Sequence, residues 1–204
     1  SIAVCGDPEA RHGIVLTASY PAKRMGVKTG MPIWEAKQHC RDLIVVPASY
    51  GKYQKYSSYV REIFRDYTDQ VESFGLDEAW LDITGSLGLF GDPVKIAKEI
   101  SARIKRELGI TVSIGVSFNK ITAKLGSDYK KPDAITVIEP DTYKQIVYPL
   151  PVGDLLYVGN ATQRKLGSYG IRTIGQLAET NPEVLKGWFG VMGYTLSAFA
   201  RGLD

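Results

Sequence analysis

Apolar and polar positions along the chain follow two periods, one near 3.6 residues and the other near two. The first period indicates helices, and short alternating or β-branched runs indicate strands. Helices are predicted over residues 32–40, 50–67, 92–108 and 119–128. Strands are predicted over residues 2–5, 13–18, 43–46, 71–75, 79–83, 111–118 and 134–138. Because strands and helices alternate while sequential hairpin strands also occur, an α+β fold is expected.

The two longest predicted helices each have an apolar stripe. In residues 50–67 the stripe is expected to bury six side chains, Tyr53, Tyr56, Val60, Ile63, Phe64 and Tyr67. Asp92 followed by Pro93 starts the other helix, and its stripe consists of Ile96, Ile100, Ile104 and Leu108. Asn119 is expected to cap the helix that follows. After about Pro140 the strand pattern ends, and short helices separated by Gly, Pro and Asn are expected.

Composition narrows the class of protein without identifying it. Apolar residues make up 44% and charged residues 23% of the 204 residues, as in ordinary globular proteins. No apolar run approaches the roughly 18 residues of a membrane span. The net charge is only +3, but Lys120, Lys124, Lys130 and Lys131 lie close together. This cluster is typical of a solvated helix face or of a nucleic-acid contact.

Two adjacent carboxylates, Asp77 and Glu78, lie between the predicted strands 71–75 and 79–83. Neighbouring side chains point to opposite faces of a regular strand, but at a corner beside Gly75 they can converge on one side. Converging carboxylates repel each other, and a divalent cation removes that repulsion. Oxygen-rich sites that also hold a triphosphate usually bind Mg²⁺. The pattern leaves two interpretations open, a magnesium site or an ordinary solvated turn.

The segment with these carboxylates runs Gly75-Leu76-Asp77-Glu78-Ala79-Trp80-Leu81-Asp82. It resembles the Ser-x-Asp-Glu-Ala-x-x-Asp signature of Y-family (translesion) DNA polymerases, with Gly75 where the family usually has Ser. The resemblance implies that Asp77 and Glu78 are catalytic residues and ligands of two Mg²⁺ ions, and that Asp82 is structural. It also implies a third carboxylate and a ribonucleotide-excluding aromatic gate, both expected upstream of Ser1.

Residues 16–23, Leu-Thr-Ala-Ser-Tyr-Pro-Ala-Lys, are similar to the Thr-x-x-Tyr-x-Ala-Arg motif in the fingers domain of the same family. The resemblance implies that Thr17 and Tyr20 hydrogen-bond the incoming triphosphate. It implies that Lys23, which replaces Arg, pairs with the phosphates. Lysine supplies the charge but not the bidentate fork of arginine. The alternative is a strand end followed by a turn and an exposed basic pair, Lys23 and Arg24.

Residues 113–124 look like the family block Gly-x-x-x-Asn-Lys-x-x-Ala-Lys, and residues 128–133 look like the stretch in which a Lys before Pro contacts the triphosphate. The resemblance assigns that nucleotide-binding role to Lys131. For Lys120 and Lys124, a surface charge is at least as good an interpretation as a DNA contact.

Residues 158–162 and residues 170–175 each start a predicted helix, which resembles the helix-hairpin-helix of a polymerase thumb. In that motif, backbone N–H groups hold a DNA phosphate without reading bases. Tyr157 replaces the first glycine of the family's Gly-x-Gly pattern, and the second glycine is expected to allow close approach and any positive φ. The alternative is a purely structural hairpin. The implied DNA-binding residues are Val158, Gly159, Asn160, Ala161 and Thr162.

Together these blocks imply a right-hand polymerase core. Small α/β fingers are expected over residues 1–48, a mixed-sheet palm over 49–138 and a helical thumb over 139–204. The implied function is error-prone, template-directed DNA synthesis on damaged templates. The implied partners are primer–template DNA and deoxynucleoside triphosphates, and the full-length protein is expected to bind a sliding clamp through a segment outside these 204 residues.

The resemblance also implies a cytoplasmic protein, associated with the nucleoid if its source is bacterial. Both ends of the sequence look like truncation points within a longer chain, so the fragment is expected to be inactive alone. Two alternatives remain, a non-catalytic DNA-binding relative of the same fold and a nucleotide cyclase with a palm-like domain. The intact pair Asp77 and Glu78 argues against the first, and the thumb hairpin argues against the second.

Overall fold

The computed structural model describes residues 1–6 and 13–204, which form two compact units, Ser1–Tyr56 and Ser57–Asp204. Both units combine helices with strands, and the α+β class expected from the sequence is confirmed. None of the helices in these described ranges has the length and apolarity needed to cross a membrane.

The first unit is a three-stranded sheet with two short helices. Its core consists of small apolar side chains, including Ala3, Cys5 and Ala36, all fully buried. The strand order is β2-β1-β3, and β1 runs antiparallel to β2 and parallel to β3. The elements are β1 (Ile2–Cys5), β2 (Val15–Ala18), α1 (Tyr20–Arg24), α2 (Ile33–His39) and β3 (Ile44–Pro47).

Helix α3 (Tyr50–Arg65) was predicted to be buried along one continuous stripe. That prediction is right for Ile63 and for Tyr67 just beyond the helix, which are 5% and 6% exposed. It is wrong for Tyr56, which is 42% exposed. Aromatic residues at helical spacing therefore do not mark the core in the first half of this helix.

In the second unit, β4 (Val71–Phe74) and β5 (Glu78–Leu81) form an antiparallel ladder, and β6 (Ile114–Ser117) and β7 (Ile135–Ile138) form a parallel one. Hydrogen bonds join the strands in these two pairs and not in one continuous sheet. Between the ladders lie a 3₁₀ turn (Thr84–Ser86), α4 (Leu87–Phe90) and α5 (Pro93–Leu108), and α6 (Lys120–Tyr129) connects β6 to β7.

The last part of the chain is helical, as the sequence predicted. A 3₁₀ turn at Val152–Asp154 precedes the hairpin that leads into α8. The helices are α7 (Tyr143–Val147), α8 (Asn160–Ser168), α9 (Ile174–Glu179), α10 (Pro182–Phe189) and α11 (Val191–Ala200). Their buried side chains share one core with Ile121 and Leu125 of α6 and with Ile138 of β7. This core fixes α6 against the helical region.

Side-chain caps hold the two helices for which a capping residue was predicted, α5 and α6. Asp92 accepts hydrogen bonds from the backbone N–H groups of Val94 at 2.9 Å and Lys95 at 3.0 Å. Asn119 accepts one from Thr122 at 2.9 Å. These caps satisfy first-turn donors that have no partner inside a helix. Both predicted caps are confirmed.

Candidate active site

The two adjacent carboxylates lie at the turn of the β4–β5 hairpin. Phe74 pairs with Glu78 in the ladder, so residues 75–77 form the turn and Glu78 is the first residue of β5. Gly75 has a φ of +72°, which is costly for other residues. Asp77 is exposed, and Glu78 is partly buried with 34% of its side chain accessible. The hairpin therefore presents one carboxylate from the turn and one from the strand start.

Helix α3 braces this turn through contacts that the sequence did not suggest. The Ser57 hydroxyl donates a hydrogen bond to the carbonyl of Leu76. Arg61 donates from Nη2 to the carbonyl of Gly75 at 2.8 Å and from Nη1 to Oγ of Ser57 at 2.6 Å. These donors occupy carbonyl groups on the two residues before Asp77, so the backbone leading to the carboxylates is held in place.

The donor atoms at the turn have the chemistry that Mg²⁺ requires. Mg²⁺ prefers oxygen ligands and is commonly held by one or two carboxylates, with waters and substrate phosphates completing the octahedron. Asp77 and Glu78 provide such a pair. In the described parts of the chain, no group of three or more His, Cys, Asp or Glu residues is arranged to hold a metal ion. The pair fits a cation shared with a substrate better than a cation enclosed by protein.

Asp82, the third acid of the segment, has a different environment. Its carboxylate accepts a hydrogen bond from the backbone N–H of Thr84 at 2.9 Å, at the 3₁₀ turn. Hydrogen bonds from Thr84 lower the pKa of this exposed carboxyl group. The contact agrees with the structural role expected for Asp82.

A row of alternating charges starts at Glu78, continues through two side chains of α6 and ends at Lys131, just after that helix. Nζ of Lys124 lies 3.2 Å from Oε1 of Glu78 and also contacts Asp128, which in turn pairs with Lys131 at 2.5 Å. Burial opposes the charge on Lys124, but the pairs with Asp128 and Glu78 outweigh it and raise the pKa of Lys124. Burial likewise opposes ionisation of Asp128, yet hydrogen bonds from Lys124 and Lys131 lower its pKa. Lys124 and Asp128 therefore hold each other in their charged forms.

Lys124 is the functional candidate that sequence reasoning undervalued. The spacing of Lys124 and Asp128 by four residues on one helix face was the available signal for their pairing. The contact with Glu78 spans 46 positions of sequence and had no such signal. Lys120, by contrast, pairs with Glu72 at 3.2 Å, and its Nζ lies 5.4 Å from the ring centre of Trp80.

The residues of the predicted fingers motif lie within the first unit, on β2 and α1. Thr17 is exposed on β2, and Tyr20, 51% exposed, is the first residue of α1. Nζ of Lys23 lies 5.5 Å from the ring centre of Tyr20. Pro21 occupies the first turn of α1, where a missing N–H has no cost. The structure therefore brings Tyr20 and Lys23 together on one short helix.

The hairpin before α8 differs from its predicted geometry at one glycine. Gly159 has φ −77° and ψ 173°, so the expectation of a positive φ there is wrong. The positive φ, +68°, belongs to Tyr157, whose ring stacks on Phe199 at 6.0 Å between centres. A β-carbon added at Gly159 would meet no atom within 4 Å. The left-handed conformation thus lies at the position where the family pattern has its first glycine.

Backbone donors at the hairpin are divided between the fold and the surface. The Val158 N–H donates to the carbonyl of Leu155 at 3.0 Å, and Val158 is 7% exposed. Gly159, Asn160 and Ala161 are exposed at the start of the nine-residue helix α8, where first-turn N–H groups have no partner within the helix. Val158 therefore shapes the hairpin, and the residues after it present donors.

The hairpin and two of the charged side chains, Lys124 and Asp128, border the same cleft. Its lining includes Lys124 and Asp128 from α6 and residues 154–159. Burial, and then the negative charge of Asp128, raise the pKa of Asp154 in this cleft. Lys165, farther along α8, donates to the carbonyl of Trp188 at 2.6 Å, so its charge is used within the protein.

Comparisons with known proteins agree with the resemblance carried by the motifs. The impB/mucB/samB family model matches residues 1–128, and the model described as the DNA polymerase-iota thumb domain matches residues 153–204. The chain is 56% identical to DNA polymerase IV of Acetivibrio thermocellus, covering 100% of this chain and 51% of that protein. It is 42% identical to DNA polymerase IV 1 of Bacillus subtilis, covering 99% and 49%. The chain thus spans about half the length of these curated relatives.

Solved structures give the same answer for the fold. The insertion ternary complex of Dbh DNA polymerase is similar with a TM-score of 0.90 and 30% identity, over 100% of this chain and 60% of that one. DinB from Sulfolobus solfataricus is similar with a TM-score of 0.88 and 30% identity, over 98% and 59%. The expected polymerase-core fold with its thumb is therefore confirmed.

Proposed function

This chain belongs to the impB/mucB/samB family, the Y-family of DNA polymerases, and we propose from that membership that it supplies the catalytic core of template-directed, error-prone DNA synthesis on damaged templates. The observation that carries the proposal is the adjacent pair Asp77 and Glu78 at a braced hairpin turn. A scaffold that had lost catalysis would have no need of two adjacent carboxylates whose turn is held by Ser57 and Arg61.

In this proposal, Asp77 and Glu78 would hold two Mg²⁺ ions. The chemistry that such ions would supply there is Lewis-acid activation of the primer 3′-hydroxyl and neutralisation of charge on the leaving pyrophosphate. The residues of this chain orient the reacting groups. Ser57 and Arg61 contribute indirectly, because their hydrogen bonds hold the turn on which Asp77 lies.

Four side chains are assigned to the incoming nucleotide. Thr17 and Tyr20 present hydroxyl groups from exposed positions, and Lys23 adds a positive charge beside Tyr20. Lys131 is half exposed and can exchange its partner Asp128 for a phosphate. Lysine contacts phosphate as a point charge and not through a fixed fork, so these contacts tolerate changes in nucleotide position.

The two rival functions predict different outcomes of a reaction with DNA and nucleotides. A non-catalytic relative would bind DNA and make none, whereas a nucleotide cyclase would convert a triphosphate into a cyclic nucleotide. The thumb hairpin favours the polymerase over the cyclase, because a cyclase has no duplex to hold.

We expect the complete gene product to extend a primer on a template when Mg²⁺ and deoxynucleoside triphosphates are present, and to release no cyclic nucleotide. Gel analysis of a labelled primer and chromatography of the nucleotides measure the two outcomes in one reaction. A reaction without template is the control. DNA binding without extension would favour the non-catalytic relative, and a template-independent cyclic product would favour the cyclase.

The hairpin is proposed to grip one DNA strand by a phosphate, through backbone N–H groups of Gly159, Asn160, Ala161 and Thr162. Such donors and the positive end of the helix dipole suit an anion and carry no base information. Tyr157 is 54% exposed in a left-handed conformation and limits how closely a strand approaches.

Replacing Gly159 with Val is expected to weaken DNA binding about tenfold on any sequence, the factor for loss of roughly 1.4 kcal/mol of phosphate contact. A β-carbon at this position meets no atom within 4 Å in the free protein, so we expect the loss to come from blocked approach of the DNA strand. Tyr157→Gly should act in the opposite direction, because it removes both the side chain and the strained φ. Fluorescence anisotropy with two unrelated duplexes, over a salt series, measures both.

Gly167→Ala is the matched control for this pair. It lies on the same helix α8, and a β-carbon there meets no atom within 4 Å. Its DNA affinity should equal that of the unaltered chain. Equal affinity of the Gly159→Val variant would contradict the hairpin assignment, and a loss on only one duplex would indicate base contacts instead.

A further inference from the structure

The Lys124 ammonium group is shared between two carboxylates. Nζ lies 3.2 Å from Oε1 of Glu78 and also contacts Oδ2 of Asp128, one helical turn further along α6. The Lys124 side chain is 17% exposed, whereas that of Lys131, which pairs with the other oxygen of Asp128, is 50% exposed. Lys124 is therefore a largely covered cation held between two anions and differs from a solvated surface lysine.

A divalent cation bound to Glu78 would compete with this ammonium group. Like charges a few ångströms apart repel strongly where water is partly excluded, so Lys124 and the cation cannot both stay close to the same carboxylate. Asp128 gives Lys124 a second partner that it already contacts. The ammonium group can leave Glu78 without becoming an unpaired buried charge, which would be costly.

We propose that Lys124 is a positioning residue that holds the Glu78 carboxylate in the cation-free protein and transfers fully to Asp128 when a cation binds. The inference rests on the assignment of Glu78 as a cation ligand in the proposed function. Lys124 then sets cation affinity by competition, and Asp128 influences that affinity through Lys124. Removal of Asp128 leaves the ammonium group with Glu78 as its carboxylate partner and strengthens the competition.

Titration of the 204-residue chain with Tb³⁺ tests this inference without any catalytic reaction. Tb³⁺ is a hard cation that takes oxygen ligands, and its luminescence is excited through nearby aromatic residues such as Trp80 on β5. The variants are Lys124→Met, Asp128→Asn and the double variant. Lys130→Met is the matched control, because Lys130 is an exposed lysine at the end of the same helix, beside the ring of Tyr129.

Lys124→Met should tighten Tb³⁺ binding on the order of fivefold, the upper range for a partly solvated charge pair. Asp128→Asn should weaken it by a similar factor. In the Lys124→Met background, however, Asp128→Asn should have little further effect, because the residue through which it acts is gone. Lys130→Met should bind Tb³⁺ as the unaltered chain does. Lys124→Arg keeps the positive charge, so its Tb³⁺ affinity should also equal that of the unaltered chain.

Additive effects of the two substitutions in the double variant would overturn the inference, because they would mean that Asp128 acts on the cation through space. Unchanged affinity in Lys124→Met would overturn it as well. Glu78→Gln separates this failure from failure of the proposed site: if Tb³⁺ binding does not depend on Glu78, the cation site itself is wrong. Thermal melts of each variant establish that the compared chains are folded, and Lys124→Gln, which also removes the charge, provides the test if Lys124→Met does not fold.

Discussion

Asp77→Asn or Glu78→Gln in the complete gene product is expected to lower the rate of nucleotide incorporation by about a hundredfold or more while leaving duplex affinity nearly unchanged. Each substitution keeps the size of the side chain and removes its charge. Loss of a single electrostatic stabiliser of a transition state typically costs on the order of a hundredfold in rate. Duplex affinity should persist, because it comes from many phosphate contacts spread over the protein.

Single-turnover primer extension measures the rate, and fluorescence anisotropy of a labelled duplex measures the affinity. Asp82→Asn is the matched control. It removes a carboxylate from the same segment, but that carboxylate is hydrogen-bonded to the backbone N–H of Thr84. The control should keep most of the incorporation rate. Near-normal extension by the Asp77 or Glu78 variant would remove that residue from the catalytic site, and a parallel loss of DNA binding would indicate damage to the fold instead.

Features that depend on neighbouring residues were predictable from the sequence. The Asp92 and Asn119 caps act over two to three positions, and the Ile96, Ile100 and Ile104 stripe follows from helix periodicity. The carboxylate pair was also found, because both of its members are adjacent in sequence. In each case the physical cause lies within about one helical turn or one hairpin.

The failures have a common cause in tertiary structure. Tyr56 has the spacing of a core residue but is exposed, because periodicity reports which residues share a helix face and not what covers that face. Tyr157 adopts the positive φ that was expected at a glycine. Glycine is the usual residue in that conformation, so the sequence gives no sign of a positive φ where another residue adopts it. Helix α1 was not among the predicted helices, and its second residue is Pro21, which is compatible with the first helical turn but gives no sign that a helix follows.

The surroundings of the carboxylates could not be predicted for the same reason. Ser57 and Arg61 contact the turn from 14 to 19 positions away, and Lys124 contacts Glu78 from another helix. Sequence spacing gives no direct sign of such pairs. The sequence thus identifies which groups carry the proposed chemistry, and the structure adds which groups hold them in place.

The position of Lys124 beside Glu78 depends on a close approach of α6 to β6 at Gly115. A β-carbon at Gly115 would lie 1.8 Å from the carbonyl oxygen of Ala123 and 2.6 Å from the backbone nitrogen of Ser127. These are backbone atoms of α6, so the helix itself would have to move. Gly126 faces Gly115 from the helix, and a β-carbon there would lie 3.1 Å from the Gly115 Cα.

Gly115→Ala is therefore expected to destabilise the protein by about 3 kcal/mol, at the upper end of the usual cost of overpacking. For a chain of this length, that corresponds to a fall in Tm of roughly 6–12 °C. Gly126→Ala should destabilise the protein less than Gly115→Ala, because the added β-carbon would lie close to the Gly115 Cα without overlapping it. Gly167→Ala, in a helix with open space around it, should raise stability by up to about 1 kcal/mol.

Thermal unfolding followed by circular dichroism measures this graded series. Unchanged Tm in Gly115→Ala would mean that α6 does not lie on β6 as described. Tb³⁺ binding by a folded Gly115→Ala chain adds a second result. A shifted α6 would carry Lys124 away from Glu78. The Tb³⁺ affinity of Gly115→Ala should therefore resemble that of Lys124→Met and not that of the unaltered chain. The same glycine would then govern both the packing of the second unit and the environment of its candidate cation ligand.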